Sequence, residues 1–154
     1  MIQRIQTIYF LITVLLIGLL LFVPIAEIVS MKGETFRFDS GGFYSEGTQN
    51  PKVLFGSFPI VLLCIISIIF LIVAIFQYNY RSRQIIFSKL IILIQLALLV
   101  IICLDVWRCV NLIQGNYKFE IYLVFPVIAI ILTYLAIKAI SKDEKLLKSA
   151  NRIR

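Results

Sequence analysis

The chain has 154 residues, 61% of them hydrophobic, and its formal net charge is +7 at pH 7. Soluble domains use about 45–50% apolar residues, so this composition excludes an ordinary soluble globular domain. Histidine is absent, which removes the side chain used most often as a general base and as a metal ligand. No serine-histidine pair, glycine-rich phosphate loop or zinc motif occurs. We therefore predict no catalytic, cofactor or metal site.

Four apolar stretches organise the chain. Residues 5–26 and 53–80 contain no charge and exceed the roughly 20 residues that a helix needs to cross a bilayer. The other two stretches, 90–104 and 121–137, are shorter, but each can span if a flanking lysine extends to the headgroup layer. The pattern predicts an all-α integral membrane protein with a bundle of four transmembrane helices, at about residues 5–25, 54–78, 86–113 and 119–141.

Cations are concentrated in alternate gaps between these stretches. With the amino terminus inside, the inner segments carry ten cations against two carboxylates, and the outer segments carry five against six. Loops that stay in the cytoplasm are enriched in Lys and Arg, so both termini are predicted to be cytoplasmic. The inner cations are Arg4, Arg81, Arg83, Lys89, Lys138, Lys142, Lys145, Lys148, Arg152 and Arg154.

A cleaved signal peptide is the alternative interpretation of the first stretch, because Arg4 precedes an apolar run. This run is longer than the 7–15 residues typical of a signal-peptide core, and it lacks a clear small-x-small cleavage site. We therefore expect an uncleaved membrane anchor.

Residues 27–52 form the longest hydrophilic segment. Within it, aromatic and charged residues alternate from Phe36 to Asp39, which predicts a strand with one apolar face. The following Gly41-Gly42 suits the positive φ angles of a two-residue turn. We predict a small extracytoplasmic β-hairpin over the outer helix ends. Its predicted contact residues are Phe36, Phe38, Phe43 and Tyr44.

Prolines and the basic tail complete the predicted elements. Pro59 is tolerated in the first turn of the second helix, whereas Pro126 is expected to kink the fourth. The tail, residues 142–154, has apolar residues at helical spacing and predicts a short basic amphipathic helix along the cytoplasmic membrane surface. Whether this tail binds lipid or protein stays open. The predicted cytoplasmic interaction residues are Gln3, Arg4, Gln6, Lys145, Lys148, Asn151, Arg152 and Arg154.

Polar side chains inside the predicted spans are few. Transport and intramembrane catalysis usually require an ionisable side chain near the bilayer centre, and the sequence has none there. Gln95 is the most polar residue deep in a span, followed by the hydroxyls of Ser67, Thr13 and Thr133. We expect these groups to bond to neighbouring helices or to their own backbone. Ala129, Thr133 and Ala136 share one helix face and permit close packing against another helix.

Asp105 and Arg108 lie three residues apart on the third helix, so they can pair on one face at the outer interface. Trp107 between them is typical of an interfacial anchor. We predict a polar latch from Asp105 and Arg108 to the hairpin, with Arg37, Asp39 or Glu46 as its partner there. The alternative is an ordinary interfacial ion pair that ends the apolar run.

The three cysteines, Cys64, Cys103 and Cys109, form no C-x-x-C pair. They are expected to be small buried hydrophobic residues. The alternative is a thiol oxidoreductase that exchanges electrons with a quinone, and it would require Cys64 to contact Cys103 or Cys109.

Both ends of the chain carry recognisable sequence. Residues 1–9, MIQRIQTIY, open directly into a span, and residues 142–154, KDEKLLKSANRIR, close the chain. Together with the exit Pro24-Ile-Ala-Glu27, they resemble a domain-of-unknown-function family of small four-span inner-membrane proteins of the Bacteroidota. The resemblance covers the whole length. It implies a location in the bacterial cytoplasmic membrane and no recognised catalytic site.

The leading hypothesis is a non-catalytic accessory or scaffolding subunit of a larger cytoplasmic-membrane complex, in protein translocation or envelope biogenesis. The alternatives are the thiol and quinone oxidoreductase and a small transporter or lipid-handling protein with a polar cavity at Gln95. Membrane lipids and other integral membrane subunits are the predicted partners. Nucleic acid is expected only indirectly, through a ribosome, and no small-molecule substrate is evident.

Overall fold

The computed structural model describes residues 3–30, 35–46, 53–77, 80–113 and 116–151. Four helices account for most of them: α1 (Gln3–Leu20), α2 (Phe58–Phe76), α3 (Arg81–Ile113) and α4 (Val124–Asn151). Five short strands form a single sheet: β1 (Ala26–Val29), β2 (Thr35–Asp39), β3 (Gly42–Glu46), β4 (Val53–Gly56) and β5 (Asn116–Phe119).

The helices form a bundle in which α1 packs against α2 and α4, and α3 packs against the same two helices. Within the described ranges, three helices are long and apolar enough to cross a membrane, with spans Phe58–Phe76, Arg81–Ile113 and Ile121–Glu144. The apolar part of α1, Ile5–Leu20, is shorter. We call the end of the bundle that carries the sheet the sheet end. The other end, where α1 begins and α4 ends, is the distal end.

The sheet is antiparallel, with strand order β4-β3-β2-β1-β5. The predicted hairpin is confirmed as β2 and β3, but it forms only the centre of this larger sheet. Its turn differs by one residue from the predicted Gly41-Gly42. Asp39 pairs with Gly42, so Ser40 and Gly41 form the turn. The Asp39 carboxylate fixes it by accepting hydrogen bonds from the N–H groups of Gly41, at 2.8 Å, and Gly42, at 3.1 Å.

The first residues of α2 and α3 differ from the prediction, and backbone hydrogen bonds explain both differences. The sequence predicts a second helix from about residue 54, but Val53–Gly56 pairs with β3, so α2 begins at Phe58. The third helix begins at Arg81 rather than at about 86, since the Gln84 N–H already bonds to the Tyr80 carbonyl. Pro59 lies in the first turn of α2, as predicted.

The fourth helix corrects two further expectations. Residues 116–119 are strand β5, and a 3-10 turn, Ile121–Leu123, precedes α4. Pro126 therefore lies in the first turn of α4. N–H groups in a first turn have no partner within the helix, so this proline removes no helical hydrogen bond and no kink is required. Residues 142–151 are helical, as predicted, but they continue α4 without a break instead of forming a separate helix along the membrane surface.

The buried residues form two hydrophobic clusters. One lies at the sheet end, where the inner face of the sheet covers the helix ends with Ala26, Ile28, Phe36, Phe38 and Phe43. Phe36 and Phe43 stack there with ring centroids 5.3 Å apart. The second cluster is nearer the distal end and is centred on Phe10, Leu71, Ala74, Ile91, Ala136 and Ile140.

The hairpin turn generates a test of the sheet. Gly42 has a φ of 144°, a conformation that a residue with a Cβ adopts only with strain. We expect Gly42→Ala to lower the free energy of unfolding by about 1–3 kcal/mol, measured by thermal unfolding in detergent. Gly41→Ala is the matched control. Its Cβ would meet chiefly the Tyr44 hydroxyl, at 2.9 Å, which is the end of a side chain that can rotate away.

The loss in Gly41→Ala should therefore be the smaller of the two. Equal losses, or a larger loss in Gly41→Ala, would contradict the turn geometry.

Candidate functional site

The outward face of the sheet carries a row of side chains across four strands. Lys118 of β5 pairs with Glu27 of β1, Glu27 pairs with Arg37 of β2, and Arg37 pairs with Tyr44 of β3. Paired residues of antiparallel strands point to the same face, so these four form one line, which we call the outer row. Its three charged members are exposed, and Tyr44 is half-buried. The outer row thus presents alternating charge and one aromatic ring.

The two edges of the sheet are strands β4 and β5, which each have one neighbour among the described strands. The free side of an edge strand offers N–H and C=O groups that can pair with another chain. Lys118 on β5 is exposed, and a charged edge residue opposes indiscriminate pairing. The sheet therefore offers an outer row and two edges for recognition of an extended segment or another surface.

Asp105 and Arg108 lie together on α3, but Asp105 contacts Ser57 rather than a predicted hairpin partner. Asp105 of α3 is only 5% exposed and accepts a hydrogen bond from the Ser57 hydroxyl, at 3.1 Å from Oγ to Oδ2. The Ser57 N–H in turn bonds to the Gly41 carbonyl in the β2–β3 turn. Arg108 lies 3.9 Å from Asp105. The latch therefore joins α3 to the hairpin through Ser57.

The three predicted latch partners have other positions. Arg37 belongs to the outer row, Asp39 closes the hairpin turn, and the side chain of Glu46 lies outside the described part of the chain. Ser57 was not predicted. A serine directly before an apolar run with proline in its first turn is typical of a helix N-cap. Its hydroxyl makes no cap bond and is instead used by Asp105.

Further hydrogen bonds fix the sheet to the other helices. The Ser40 hydroxyl donates to the Leu21 carbonyl, which follows the last residue of α1, at 2.8 Å. The Ile25 N–H bonds to the Phe38 carbonyl and the Glu120 N–H bonds to the Ile25 carbonyl, which extends the pairing of β1 with β2 and β5. Glu120 directly precedes the 3-10 turn that leads into α4. Since β4 also leads directly into α2, the sheet is attached to every helix of the bundle.

The distal end has its own buried polar contacts. Gln6 of α1 donates to the Asp143 carboxylate of α4 at 2.7 Å, and both side chains are buried. Gln84 of α3 donates to the Ala74 carbonyl of α2 at 2.9 Å. These bonds hold the ends of neighbouring helices together. Exposed cations surround them, and the Arg83 guanidinium lies 5.1 Å from the ring centroid of Tyr80.

A layer of polar side chains separates the two hydrophobic clusters. Each helix contributes one fully buried residue to it, and we call this the polar layer: Thr13, Ser67, Gln95 and Thr133. On each helix, residues of the two clusters lie three or four positions to either side. The layer is thus at one level of the bundle and near its middle.

Hydrogen bonds within the polar layer match the expectation of helix-to-helix and backbone bonding. Thr13 and Thr133 each donate to the carbonyl four residues earlier, at 2.8 Å, and the Thr133 hydroxyl also lies 3.3 Å from Oε1 of Gln95. Two buried atoms, Ser67 Oγ and Gln95 Nε2, have no partner among the described residues. The small face of α4 at Ala129, Thr133 and Ala136 is buried inside the bundle.

The structure corrects the predicted contact residues of the hairpin. Phe36, Phe38 and Phe43 are at most 7% exposed and pack against the helix ends, because alternation turns the aromatic face of the strand toward the core. Of the predicted set, Tyr44 alone lies on the outward face. Glu27 and Lys118 were missed, since their pairing joins segments far apart in sequence.

Several predicted distal residues lie outside what the structure describes. Arg152 and Arg154 lie outside the described residues, as do the side chains of Gln3 and Arg4 on α1 and of Lys145, Lys148 and Asn151 on α4. Gln6 is described, and it faces the bundle interior rather than a free surface.

All three cysteines are free thiols; Cys64 and Cys109 are buried as expected, whereas the expectation is wrong for Cys103, which is exposed. Cys64 and Cys109 both belong to the sheet-end cluster. The thiol oxidoreductase stays a prediction, and its test is whether the three thiols label as reduced in intact cells.

The polar layer generates a prediction about stability. Gln95→Leu removes a hydrogen bond to Thr133. It also removes a buried N–H₂ group that has no partner, and leaving such a group unsatisfied destabilises the folded state by about 1–3 kcal/mol. We expect Gln95→Leu to unfold at equal or higher temperature in detergent. Thr133→Val should instead destabilise by about 1 kcal/mol, because it leaves both polar atoms of Gln95 unsatisfied. A loss above about 1 kcal/mol in Gln95→Leu would contradict this, since it would mean that the amide has a bound partner.

Two comparisons with known proteins bear on identity. A search of curated proteins found no match. A family model covers nearly the whole chain, residues 2–153, and confirms the resemblance to a domain-of-unknown-function family. Because the match extends from α1 to the tail, it includes the sheet segments as well as the helices. The chain belongs to the family described as Domain of unknown function (DUF4293).

Proposed function

We propose that the chain is a four-span protein of the bacterial cytoplasmic membrane, with the distal end in the cytoplasm and the sheet outside. Three observations support this topology. Helix α1 has 18 residues, about 27 Å at a rise of about 1.5 Å each. It packs along α4 and exposes Ile8, Leu11 and Leu15 outward. The distal end carries the exposed cations Lys89, Lys138 and Lys142, as the positive-inside rule requires of a cytoplasmic end.

Within this topology, the protein acts as a non-catalytic accessory or scaffolding subunit of a larger membrane complex. The observation that carries this proposal is the attachment of the sheet to all four helices, with the outer row on its exposed face. A recognition surface that is already rigid loses little conformational entropy when a partner binds. The alternating charges of the outer row favour specificity, because a wrong partner would bring like charges together.

Protein translocation or envelope biogenesis is the proposed setting. An extracytoplasmic recognition surface joined to a cationic cytoplasmic end suits a complex that works on both sides of the membrane. The distal cations suit anionic lipid, a ribosome or an acidic partner protein.

A small transporter is the second candidate, and the polar layer favours it. Ser67 and Gln95 are fully buried with one unpartnered atom each among the described residues, and a water or a small polar solute would satisfy both atoms. The layer contains no ionisable group, so a neutral polar solute suits it better than an ion.

The scaffolding proposal predicts partners that depend on the outer row. Tagged protein, purified in mild detergent, should carry one or more membrane proteins in near-stoichiometric amount by mass spectrometry. Arg37→Gln combined with Lys118→Gln should reduce this yield at least about tenfold, since losing about 1.4 kcal/mol of binding is a tenfold change in affinity.

Lys89→Gln is the control, because it removes an exposed cation at the distal end, far from the outer row. It should leave the partners in place. Purification of the unmodified chain alone, or equal loss of partners in both variants, would count against the proposal.

A further inference from the structure

A groove of about 460 Å³ runs between α1 and α4 near the distal end. This volume is within the roughly 300–1,000 Å³ typical of small-molecule sites. Helix α4 contributes Lys138 and Lys142 to its lining, and both lysines are exposed. They are four residues apart, so they project from the same face of α4 about 6 Å apart along its axis.

The remaining lining is mostly apolar, with two hydroxyl-bearing residues. Tyr9 of α1 and Ser141 of α4 bring hydroxyl groups, whereas Ile5 and Leu135 bring apolar surface. Two ammonium groups with neighbouring hydroxyls form a donor set suited to a phosphate, which offers several acceptor oxygens. No acidic residue belongs to the described lining of this groove.

The nearest carboxylates on α4 are engaged elsewhere. Asp143 is buried and accepts its hydrogen bond from Gln6. Glu144 accepts a bond from Ser82 of α3 at 3.4 Å. The two lysines therefore keep their charge available for an anion in the groove.

Toward the middle of the bundle, the groove continues into exposed apolar surface. Ile8 and Ile12 on α1 and Ile131 on α4 are 51%, 42% and 52% exposed, and they follow the lining residues at helical spacing. A ligand that fits therefore has an anionic head and an apolar body, oriented along the helices. Two other grooves lie beside Trp107 at the sheet end, and one of them is lined by the cation Arg108. That arginine already pairs with Asp105.

We propose that the α1–α4 groove is a binding site for one anionic phospholipid. Its phosphate binds between Lys138 and Lys142 with the hydroxyls of Tyr9 and Ser141, and its acyl chains lie on the apolar surface of α1 and α4. Basic pockets between helices on the cytoplasmic side of a membrane have this chemistry. The site rests on the proposed membrane topology, but it is independent of the scaffolding role, because none of its residues belongs to the outer row.

Native mass spectrometry of the purified full chain in detergent tests the site, with dioleoyl phosphatidylglycerol as the probe and dioleoyl phosphatidylcholine as the zwitterionic comparison. The unmodified chain should bind one phosphatidylglycerol in clear preference to phosphatidylcholine. Lys138→Gln combined with Lys142→Gln should weaken this binding about 30-fold, which corresponds to about 1 kcal/mol for each cation near an anionic headgroup.

Two further variants and one competition measurement test whether the binding occurs in this groove. Lys89→Gln removes an exposed cation outside the groove and should change binding less than twofold. Ala139→Leu keeps both lysines but narrows the groove that Ala139 lines, and it should also weaken binding. Inorganic phosphate at the same concentration should not displace the lipid, because it has no apolar body.

The lysines are exposed, so their substitution should leave elution volume and thermal midpoint unchanged, and this confirms that the variants are folded. The proposal is overturned if the double variant binds phosphatidylglycerol as the unmodified chain does. Equal binding of the two lipids, or displacement by inorganic phosphate, would overturn it as well.

Discussion

A polar group in the hydrocarbon core of a bilayer has no water to bond to, so it requires a partner within the protein. Buried polar side chains of the described residues meet that constraint at three levels, although Ser67 Oγ and Gln95 Nε2 in the polar layer remain without a partner. Asp105 and Ser57 bond at the sheet end, Gln95 and Thr133 in the polar layer, and Gln6 and Asp143 at the distal end. Each pair joins elements that are far apart in sequence, so the same bonds that satisfy polar groups also fix the register of the bundle.

The sheet depends on this register. Asp105 can reach Ser57 only if α3 and the start of α2 are level, and Ser57 then holds the Gly41 carbonyl of the hairpin turn. The aromatic residues of the hairpin pack inward on the same helix ends. The charged residues are consequently left on the outward face, where they form the outer row. A surface with this support is suited to recognition, whereas the opposite end offers cations and the α1–α4 groove.

The sequence predicts the features that depend on local patterns. Four uncharged or nearly uncharged runs indicate the helices, and the alternation from Phe36 to Asp39 identifies a strand and its apolar face. Pairing between segments that are far apart in the chain produces no recognisable pattern in either segment alone. The run Val53–Gly56 is apolar and directly precedes a helix. Four residues are too few for hydrophobic periodicity to distinguish a strand from the first turn of a helix. The row from Lys118 to Glu27 and the bond from Ser57 to Asp105 likewise depend on tertiary contacts. The direction of Phe36 was misjudged because an apolar strand face can serve a core or a partner equally well.

The central proposal is that the cationic distal end lies in the cytoplasm and the sheet lies outside. Labelling of single cysteines with a charged, membrane-impermeant maleimide tests it most directly, in a background with Cys64, Cys103 and Cys109 replaced by alanine. Arg37→Cys on the outer row and Lys89→Cys at the distal end are both exposed positions. The proposal predicts that Arg37→Cys is labelled in spheroplasts and Lys89→Cys only in inverted membrane vesicles. Labelling of Lys89→Cys in sealed spheroplasts, with Arg37→Cys protected, would contradict it.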